Sequence, residues 1–204
     1  YNAKPPWLLS HLREWTSGAE DKGHAYLVIS EDAEEASVFA RQLAMQQLCH
    51  DLQDGMACGQ CQSCKAFLQG VHGDLLSLQI PEGKTAIGID QVREATHFLQ
   101  QTALYGAAKL LLVRDADRMT LAAANSLLKT LEEPGTSTHF ILVSSAPQRL
   151  LPTILSRCQR IQFAPLPRRV VTELLIQQTQ IAQEQADLIA ALSEGSVGCG
   201  TVSY

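Results

Sequence analysis

The chain has 204 residues, 46% of them hydrophobic and 18% charged, a composition typical of a globular protein. That length allows one large domain, alone or with a smaller companion, and a buried core. The formal net charge of -5 excludes a general attraction to nucleic acid, so DNA binding would need a local basic patch. No apolar run approaches the ~18 residues of a membrane span, and the first residues lack a signal-peptide pattern. We therefore expect a cytoplasmic protein.

The first part of the chain predicts a helix, a strand and a second helix. Tryptophan and leucine side chains recur at helical spacing over residues 5–18. The apolar run Ala25–Ile29 is typical of a buried strand. The second helix is predicted from about Asp32 to Leu48, with acidic residues near its amino end that complement the helix dipole.

A cluster of cysteines after this helix has the spacing of a metal site: Cys49, Cys58, Cys61 and Cys64. Two Cys-x2-Cys steps allow neighbouring thiolates to share one tetrahedral zinc ion, and four cysteine ligands leave no open position for a substrate. We therefore predict a structural zinc site. Two disulfides or a redox-active pair are the alternatives, although a cytosolic chain would keep disulfides reduced. His72 lies nearby, but four cysteines already complete the shell.

The middle of the chain alternates strand and helix patterns, as parallel α/β sheets do. Residues 74–80 predict a strand, and Asp90 is the expected cap of the helix that follows. The apolar run Lys109–Val113 ends in charged residues, as a buried strand does at the carboxyl edge of a sheet.

The stretch from Lys109 to Cys158 organises the predicted fold. After the strand comes a helix over residues 124–133 with three leucines on one face, stopped by Pro134. His139–Val143 is a second buried strand, and Ser-Arg-Cys158 follows it closely. Strand, helix, strand and a presented arginine form the carboxyl half of an NTPase-like α/β core. Cys158 itself is expected to be a small buried hydrophobe.

The carboxyl-terminal part predicts a domain boundary at Ala164-Pro-Leu-Pro167, just after a strand at residues 161–163. Two helical patterns follow. We therefore expect an α/β domain over residues 1–164, with the zinc module at 49–64, and a small helical lid domain over residues 165–204.

Two pieces of sequence resemble a known family: Asn125-Ser-Leu-Leu-Lys-Thr-Leu-Glu-Glu-Pro134 and Leu155-Ser-Arg-Cys158. Together they are similar to the signature of bacterial clamp-loader subunits of the AAA+ family, and the similarity covers nearly the whole chain. The resemblance implies a P-loop-NTPase-like parallel sheet with flanking helices, an inserted zinc module and a helical lid. Family members continue into a helical collar domain, so we expect this chain to be truncated.

The nucleotide-binding loop of that family is altered here. A P-loop uses glycine donors, a lysine and a serine or threonine to hold phosphates and magnesium. At the corresponding positions stand Ser30, Glu35, Ala36 and Ser37, and only Ser37 retains the residue type, a hydroxyl, that a P-loop has there. The acidic residues between positions 31 and 35 would repel phosphates, since like charges at ~4 Å cost about 1 to 4 kcal/mol per pair. We expect no ATP binding.

Two further family positions agree with this expectation. In active members, the strand that corresponds to Lys109–Val113 ends in an acidic pair that holds magnesium. Here Arg114 replaces the first acid and only Asp115 remains. Asp115 and Asp117 are therefore expected to form ion pairs instead. Gly198 stands where active members carry a nucleotide-sensing arginine. No intrinsic ATPase activity is expected.

Arg157 is the candidate catalytic residue. The chain has no acidic residue between Glu133 and Glu173, while five arginines lie there: Arg149, Arg157, Arg160, Arg168 and Arg169. The pattern alone leaves a solvated surface and an anion-binding face equally open. The family resemblance implies that Arg157 is an arginine finger that acts in trans on the ATP of a neighbouring subunit. Its pairing with a carboxylate of its own domain is the structural alternative.

The resemblance implies a non-catalytic subunit of the DNA polymerase III clamp loader. Its partners would be gamma/tau-type ATPase subunits and a clamp-opening delta-type subunit in a five-membered ring, which loads the sliding clamp onto primer-template DNA. A weakly active ATPase with a degenerate P-loop is one alternative. A stand-alone zinc-dependent nucleic-acid-binding module is another, although residues 49–64 contain no lysine or arginine.

Overall fold

A computed structural model of the chain describes residues 23–105, 108–135, 137–162 and 182–192, together with Thr172 and Ile176. The helix predicted at residues 5–18, the boundary at 164/165, Gly198 and most of the first lid helix lie outside the described residues. Within the described part, no helix is both long and apolar enough to cross a membrane.

Five parallel strands form the central sheet, in the order β4-β5-β6-β1-β7. The strands in chain order are β1 (Ala25–Ile29), β2 (Leu52–Gln53), β3 (Met56–Ala57), β4 (Leu75–Leu78), β5 (Lys109–Val113), β6 (Thr138–Ser144) and β7 (Gln159–Gln162). The short strands β2 and β3 pair with each other as an antiparallel hairpin outside this sheet. The first strand lies between β6 and β7, with Val28 in register with Val143 on one side and Ile161 on the other.

Helices cover both faces of the sheet. They are α1 (Ala33–Leu48), α2 (Gln62–Leu68), α3 (Ile89–Leu99), α4 (Leu121–Glu132), α5 (Pro152–Leu155) and α6 (Gln183–Leu192). Successive residues of β1 point to opposite faces: Val28 packs with Phe39 of α1, whereas Leu27 packs with Leu127 of α4. Because both faces are covered, the strands are continuous apolar runs rather than alternating ones.

The sequence-based boundaries are matched for two strands and shift by one to three residues elsewhere, including β6, which begins one residue earlier and ends one residue later than predicted. Strands β1 and β5 have the predicted bounds, and α1 begins one residue later than expected. The prediction that Asp90 caps α3 was wrong: Gly88 is the cap residue, and its backbone N–H donates to Oε1 of Gln91 at 3.1 Å. Asp90 instead lies in the first turn and pairs with Arg93. The last strand, β7, begins two residues before the predicted start at 161.

A buried ion pair joins β4, β5 and the loop between α3 and β5. Nζ of Lys109 lies 3.3 Å from Oδ1 of Asp74, and both side chains are at most 5% exposed. The carboxylate also accepts backbone N–H bonds from Leu104 (2.7 Å) and Tyr105 (2.8 Å), and the ammonium lies 4.0 Å from the centroid of the Phe98 ring. Burial alone would raise the pKa of Asp74, but these backbone donors and Lys109 lower it by more, so the net pKa lies below its usual value.

We predict that Asp74→Asn or Lys109→Met lowers the free energy of unfolding by about 3 to 5 kcal/mol, because each leaves an unpaired charge buried. Since the folded pKa of Asp74 is depressed, its contribution is present above its unfolded pKa of about 4 and is lost as pH falls through the folded pKa. Urea unfolding at several pH values measures both effects. The exposed pair of Asp90 and Arg93 supplies the control, Asp90→Asn, which should change little. A wild-type-like Asp74→Asn would contradict the prediction.

Candidate functional site

The four predicted cysteines come together in one cluster. Their Sγ atoms all lie within 4.8 Å of one another, with Cys49 and Cys58 3.6 Å apart and Cys58 and Cys64 4.0 Å apart. Sulfurs at about 2.3 Å from a tetrahedral zinc ion lie about 3.8 Å apart, so the cluster has the dimensions of a metal site. The elements that place it are the end of α1, the β2-β3 hairpin and the start of α2, where Cys61 is the helix cap.

Backbone N–H groups point at three of the four sulfurs. Cys58 N donates to Cys49 Sγ, Cys61 N to Cys58 Sγ and Cys64 N to Cys61 Sγ, each at 3.3 Å. Burial raises the pKa of Cys61, but backbone donors at His50 and Cys64 and the neighbouring thiols outweigh it and bring that pKa to about 6. Burial raises the pKa of Cys64 strongly. The cluster therefore favours negative charge on some sulfurs and needs a cation to ionise them all, as a metal ion would supply.

A chain of hydrogen bonds ties this cluster to the sheet. Ser63 Oγ donates to the carbonyl of Leu48 at 2.6 Å and lies 2.8 Å from Nε2 of His72. Because Asp74 N donates to Nδ1 of His72 at 3.1 Å, we assign the neutral tautomer with its proton on Nε2. Burial lowers the pKa of His72, which agrees with a neutral ring. The exclusion of His72 as a metal ligand is consistent with this, but sequence reasoning missed its bridging role.

The loop between β1 and α1 is closed by its own side chains. Ser30 Oγ donates to Oε2 of Glu35 at 2.9 Å and accepts from Asp32 N at 3.2 Å. Glu35 N donates to Oδ1 of Asp32 at 3.1 Å, so Asp32 caps the first turn of α1 as the helix-dipole argument expects. The side chains of Ser30, Asp32 and Glu35 are thus bonded within the loop.

A cavity of about 130 Å³ lies against this loop, and it brings the altered positions together. Ser30, Ala36 and Ser37 line it on one side and Arg114 and Asp115 on the other. Its volume is below the roughly 300 to 1,000 Å³ of typical small-molecule sites. The structure therefore places an arginine beside the altered loop, as the sequence predicted.

The expected ion pairs of Asp115 and Asp117 do not form among the described residues. Oδ1 of Asp117 accepts a hydrogen bond from Oγ of Ser144 at 2.7 Å. Across the described ranges, neither aspartate has a basic partner within 4 Å. Asp115 adopts a left-handed backbone conformation with φ 51°, which aspartate tolerates better than most residues. Asp117 therefore fixes the turn after β5 to the end of β6.

Arg157 follows α5 and is held within its own domain. Its Nη2 lies 2.6 Å from Oε1 of Glu132, and its Nη1 donates to the carbonyl of Thr153 at 3.0 Å. Both partners of the ion pair are partly exposed, Arg157 by 34% and Glu132 by 47%. This contact is the structural alternative left open by the sequence, an ion pair with a carboxylate of the same domain. The sequence could not single out Glu132 as the partner, because the two residues come from different elements. Cys158 is buried in the core, as predicted.

The strand order, the helices on both faces and the inserted cysteine module define an AAA+-type α/β protein. Among solved structures, a DNA polymerase III gamma subunit-related protein of Thermotoga maritima superposes with a TM-score of 0.55; it is 25% identical, with 92% of this chain and 57% of that chain covered. The profile of the family described as DNA polymerase III, delta subunit, matches residues 9–167, and the chain belongs to this family.

Curated relatives agree with this assignment. The delta' subunit of DNA polymerase III from Escherichia coli K12 is 36% identical over 203 residues, covering 98% of this chain and 60% of the relative. The delta' subunit of Pseudomonas aeruginosa is 40% identical over 162 residues, covering 79% of this chain and 49% of the relative. Chains named tau or tau/gamma subunit also match, at 25% to 30% identity over 85% of this chain. The chain therefore spans about half to three fifths of the delta' relatives.

Proposed function

We propose that this chain is a nucleotide-non-binding subunit of the DNA polymerase III clamp loader. It would work in a ring with gamma/tau-type ATPase subunits and a clamp-opening delta-type subunit, which loads the sliding clamp onto primer-template DNA. Membership in the delta-subunit family and similarity to delta' subunits support the assignment. The observation that carries the non-binding role is the loop between β1 and α1, which bonds to itself through Ser30 and Glu35.

The altered loop and Arg114 act together against nucleotide. Phosphate groups would meet the carboxylates of Glu31 and Glu35 without a compensating lysine, and magnesium would meet the guanidinium of Arg114 where a carboxylate is needed. Catalysis of phosphoryl transfer depends almost entirely on positioning and electrostatics, so these changes also remove an ATPase activity of the chain itself.

We predict that the full-length protein shows no micromolar binding of ATP with magnesium in a calorimetric titration. Ala36→Lys alone should not restore binding, because the surrounding carboxylates remain. A gamma/tau-type ATPase subunit serves as the positive control. Micromolar affinity of the unaltered protein would contradict the proposal.

We also propose that the cysteine cluster holds one structural zinc ion. Four thiolates suit zinc, and the sulfur separations and N–H donors support the fit. Zinc supplies positive charge that neutralises the thiolates, and the residues close its shell against substrate. The hydrogen bonds of Ser63 and His72 then fix the position of the module relative to the sheet.

Metal analysis of protein purified without chelator should find one zinc per chain. Cys64→Ser should lower that stoichiometry and loosen residues 49–64 to proteolysis without unfolding the sheet, because α1 and the strands themselves form most of the core cluster that Cys64 joins. Cys158→Ser is the matched control, since Cys158 lies in the opposite core cluster, and it should keep its zinc. Protein without zinc, or full stoichiometry in Cys64→Ser, would contradict the proposal.

Arg157 is the residue that we propose to act in trans. A guanidinium bridges two phosphate oxygens and stabilises charge on a transferring phosphoryl group. Its present pair with Glu132 does not oppose this role, because exposed ion pairs are worth only about 0.2 to 1 kcal/mol. A phosphate of a neighbouring subunit would displace Glu132 at little cost. The ion pair then orients the Arg157 side chain but is weak enough to be exchanged for a phosphate.

We predict that Arg157→Ala lowers the DNA-stimulated ATPase activity and clamp loading of the assembled complex. An arginine finger is worth up to about 10³ to 10⁵ in rate at its own site, but a ring has several sites, so the total loss should be smaller. Arg157→Lys should rescue little, because an ammonium lacks the planar fork. The chain's own stability and zinc content should not change.

Two variants separate the trans role from a structural one. Arg149→Ala removes an exposed arginine of the same stretch and should leave activity unchanged. Glu132→Gln removes the partner of Arg157 and should keep activity, whereas a structural ion pair would make Glu132→Gln and Arg157→Ala equally defective. Full activity of a correctly assembled Arg157→Ala complex would refute the finger.

The division into residues 1–164 and 165–204 remains part of this proposal. The second helical pattern of this region, predicted at about residues 184–192, agrees with α6, which begins at Gln183. A cytoplasmic location follows from the proposed role in replication.

A further inference from the structure

A second cavity, of about 290 Å³, lies between α1, α2 and the strands β4 and β5. Two arginines line it, Arg41 from α1 and Arg114 from the end of β5. Its apolar lining comes from Phe67, Leu75 and Leu112. We call this cavity the Arg41 groove. It is larger than the cavity at the altered loop, with which it shares only Arg114.

The positive charge of the Arg41 groove is not neutralised by the described part of the chain. No acidic residue lines the groove, and across the described ranges neither arginine has a carboxylate within 4 Å. Arg41 instead lies over the ring of Phe67, 5.2 Å from its centroid. Nε of Arg114 is buried and has no hydrogen-bond partner in the described ranges. Asp74 is close in sequence to His72 of the lining, but its carboxylate already forms an ion pair with Lys109. The groove is therefore complementary to an anion.

Exposed apolar residues adjoin the lining residues of the groove in sequence. Val71 is 67% exposed and stands between Gly70 and His72, which both line the groove. Leu68, two residues before Gly70, is 59% exposed. Exposed aliphatic groups beside a pocket are typical of binding surfaces. A lone phosphate would leave this apolar surface uncovered, so the lining favours a ligand that is both acidic and apolar.

We propose that the Arg41 groove binds an acidic segment of a partner protein. A carboxylate of the segment would face Arg41 and Arg114, and a neighbouring leucine or phenylalanine would cover Leu75, which is half-buried, and the exposed Val71. Arginine and carboxylate form strong charge-assisted hydrogen bonds, and apolar burial around them excludes water. The inference goes beyond the clamp-loader role and does not depend on it. Arg114 also faces the cavity at the altered loop, but Arg41 and the apolar lining of the groove take no part in the argument against nucleotide.

The test uses the full chain and a fluorescein-labelled, amidated hexapeptide, Asp-Leu-Asp-Phe-Asp-Leu, followed by fluorescence anisotropy. Two control peptides replace either the three acids by asparagine or the three apolar residues by serine. Saturable binding of the first peptide is expected, stronger at low salt, and each control should bind at least about ten-fold more weakly because one half of the complementarity is lost.

Variants of the protein locate the binding. Arg41→Gln should weaken the first peptide about ten-fold or more, and Val71→Ser should weaken it less. Arg160→Gln, an equal charge change on β7 at the opposite edge of the sheet, should have no effect. If Arg41→Gln is unstable, Arg41→Glu tested with a peptide carrying lysines for the acids supplies a charge-swap version, in which restored binding supports direct contact.

Four outcomes would overturn the proposal. They are no saturable binding at millimolar peptide, equal binding of the serine peptide, equal weakening by Arg160→Gln, and Arg41-dependent binding of inorganic phosphate without binding of the peptide. The last would make the groove a simple oxyanion site.

Discussion

The arrangement of the functional residues depends on the pairing of β1 with β6 on one side and β7 on the other. Because all three strands are parallel, their carboxyl ends meet at one edge of the sheet. At these carboxyl ends, residues from distant parts of the chain line one small cavity, among them Ser30, Ser37, Arg114 and Ser144. Apolar burial on both faces fixes the register, since the interior strands leave no solvent-facing side for polar residues.

At this edge polar side chains bond to one another and to the backbone. Ser30 and Glu35 bond to each other, Asp32 caps α1, and Asp117 holds Ser144. These bonds satisfy polar groups that are buried or half-buried at the carboxyl ends of the strands. Apolar packing on both faces supports the sheet itself.

The cysteine module is attached to the same scaffold both by apolar packing and by a polar chain. Its buried residues Cys64 and Phe67 belong to the core cluster that contains Val28 and Leu112 of the sheet. Ser63 and His72 connect it to α1 and to the backbone of Asp74, and Asp74 is itself paired with Lys109 of β5. The position of the module is thus coupled to the two outermost strands on that side, β4 and β5. The Arg41 groove lies at this junction, between α1, α2 and those strands.

Sequence alone determined the features that rest on local pattern. Apolar runs predicted β1 and β5 with their bounds, and the spacing of Cys49 to Cys64 predicted a cluster that the fold brings together, because closely spaced ligands need only a short loop. The altered residues of the loop were also visible in the sequence. Tertiary structure alone decided which side chains become partners: Glu132 with Arg157, Asp74 with Lys109, and Ser144 with Asp117. Such pairs join elements 25 to 35 positions apart, and no local spacing specifies them; packing of helices and strands does.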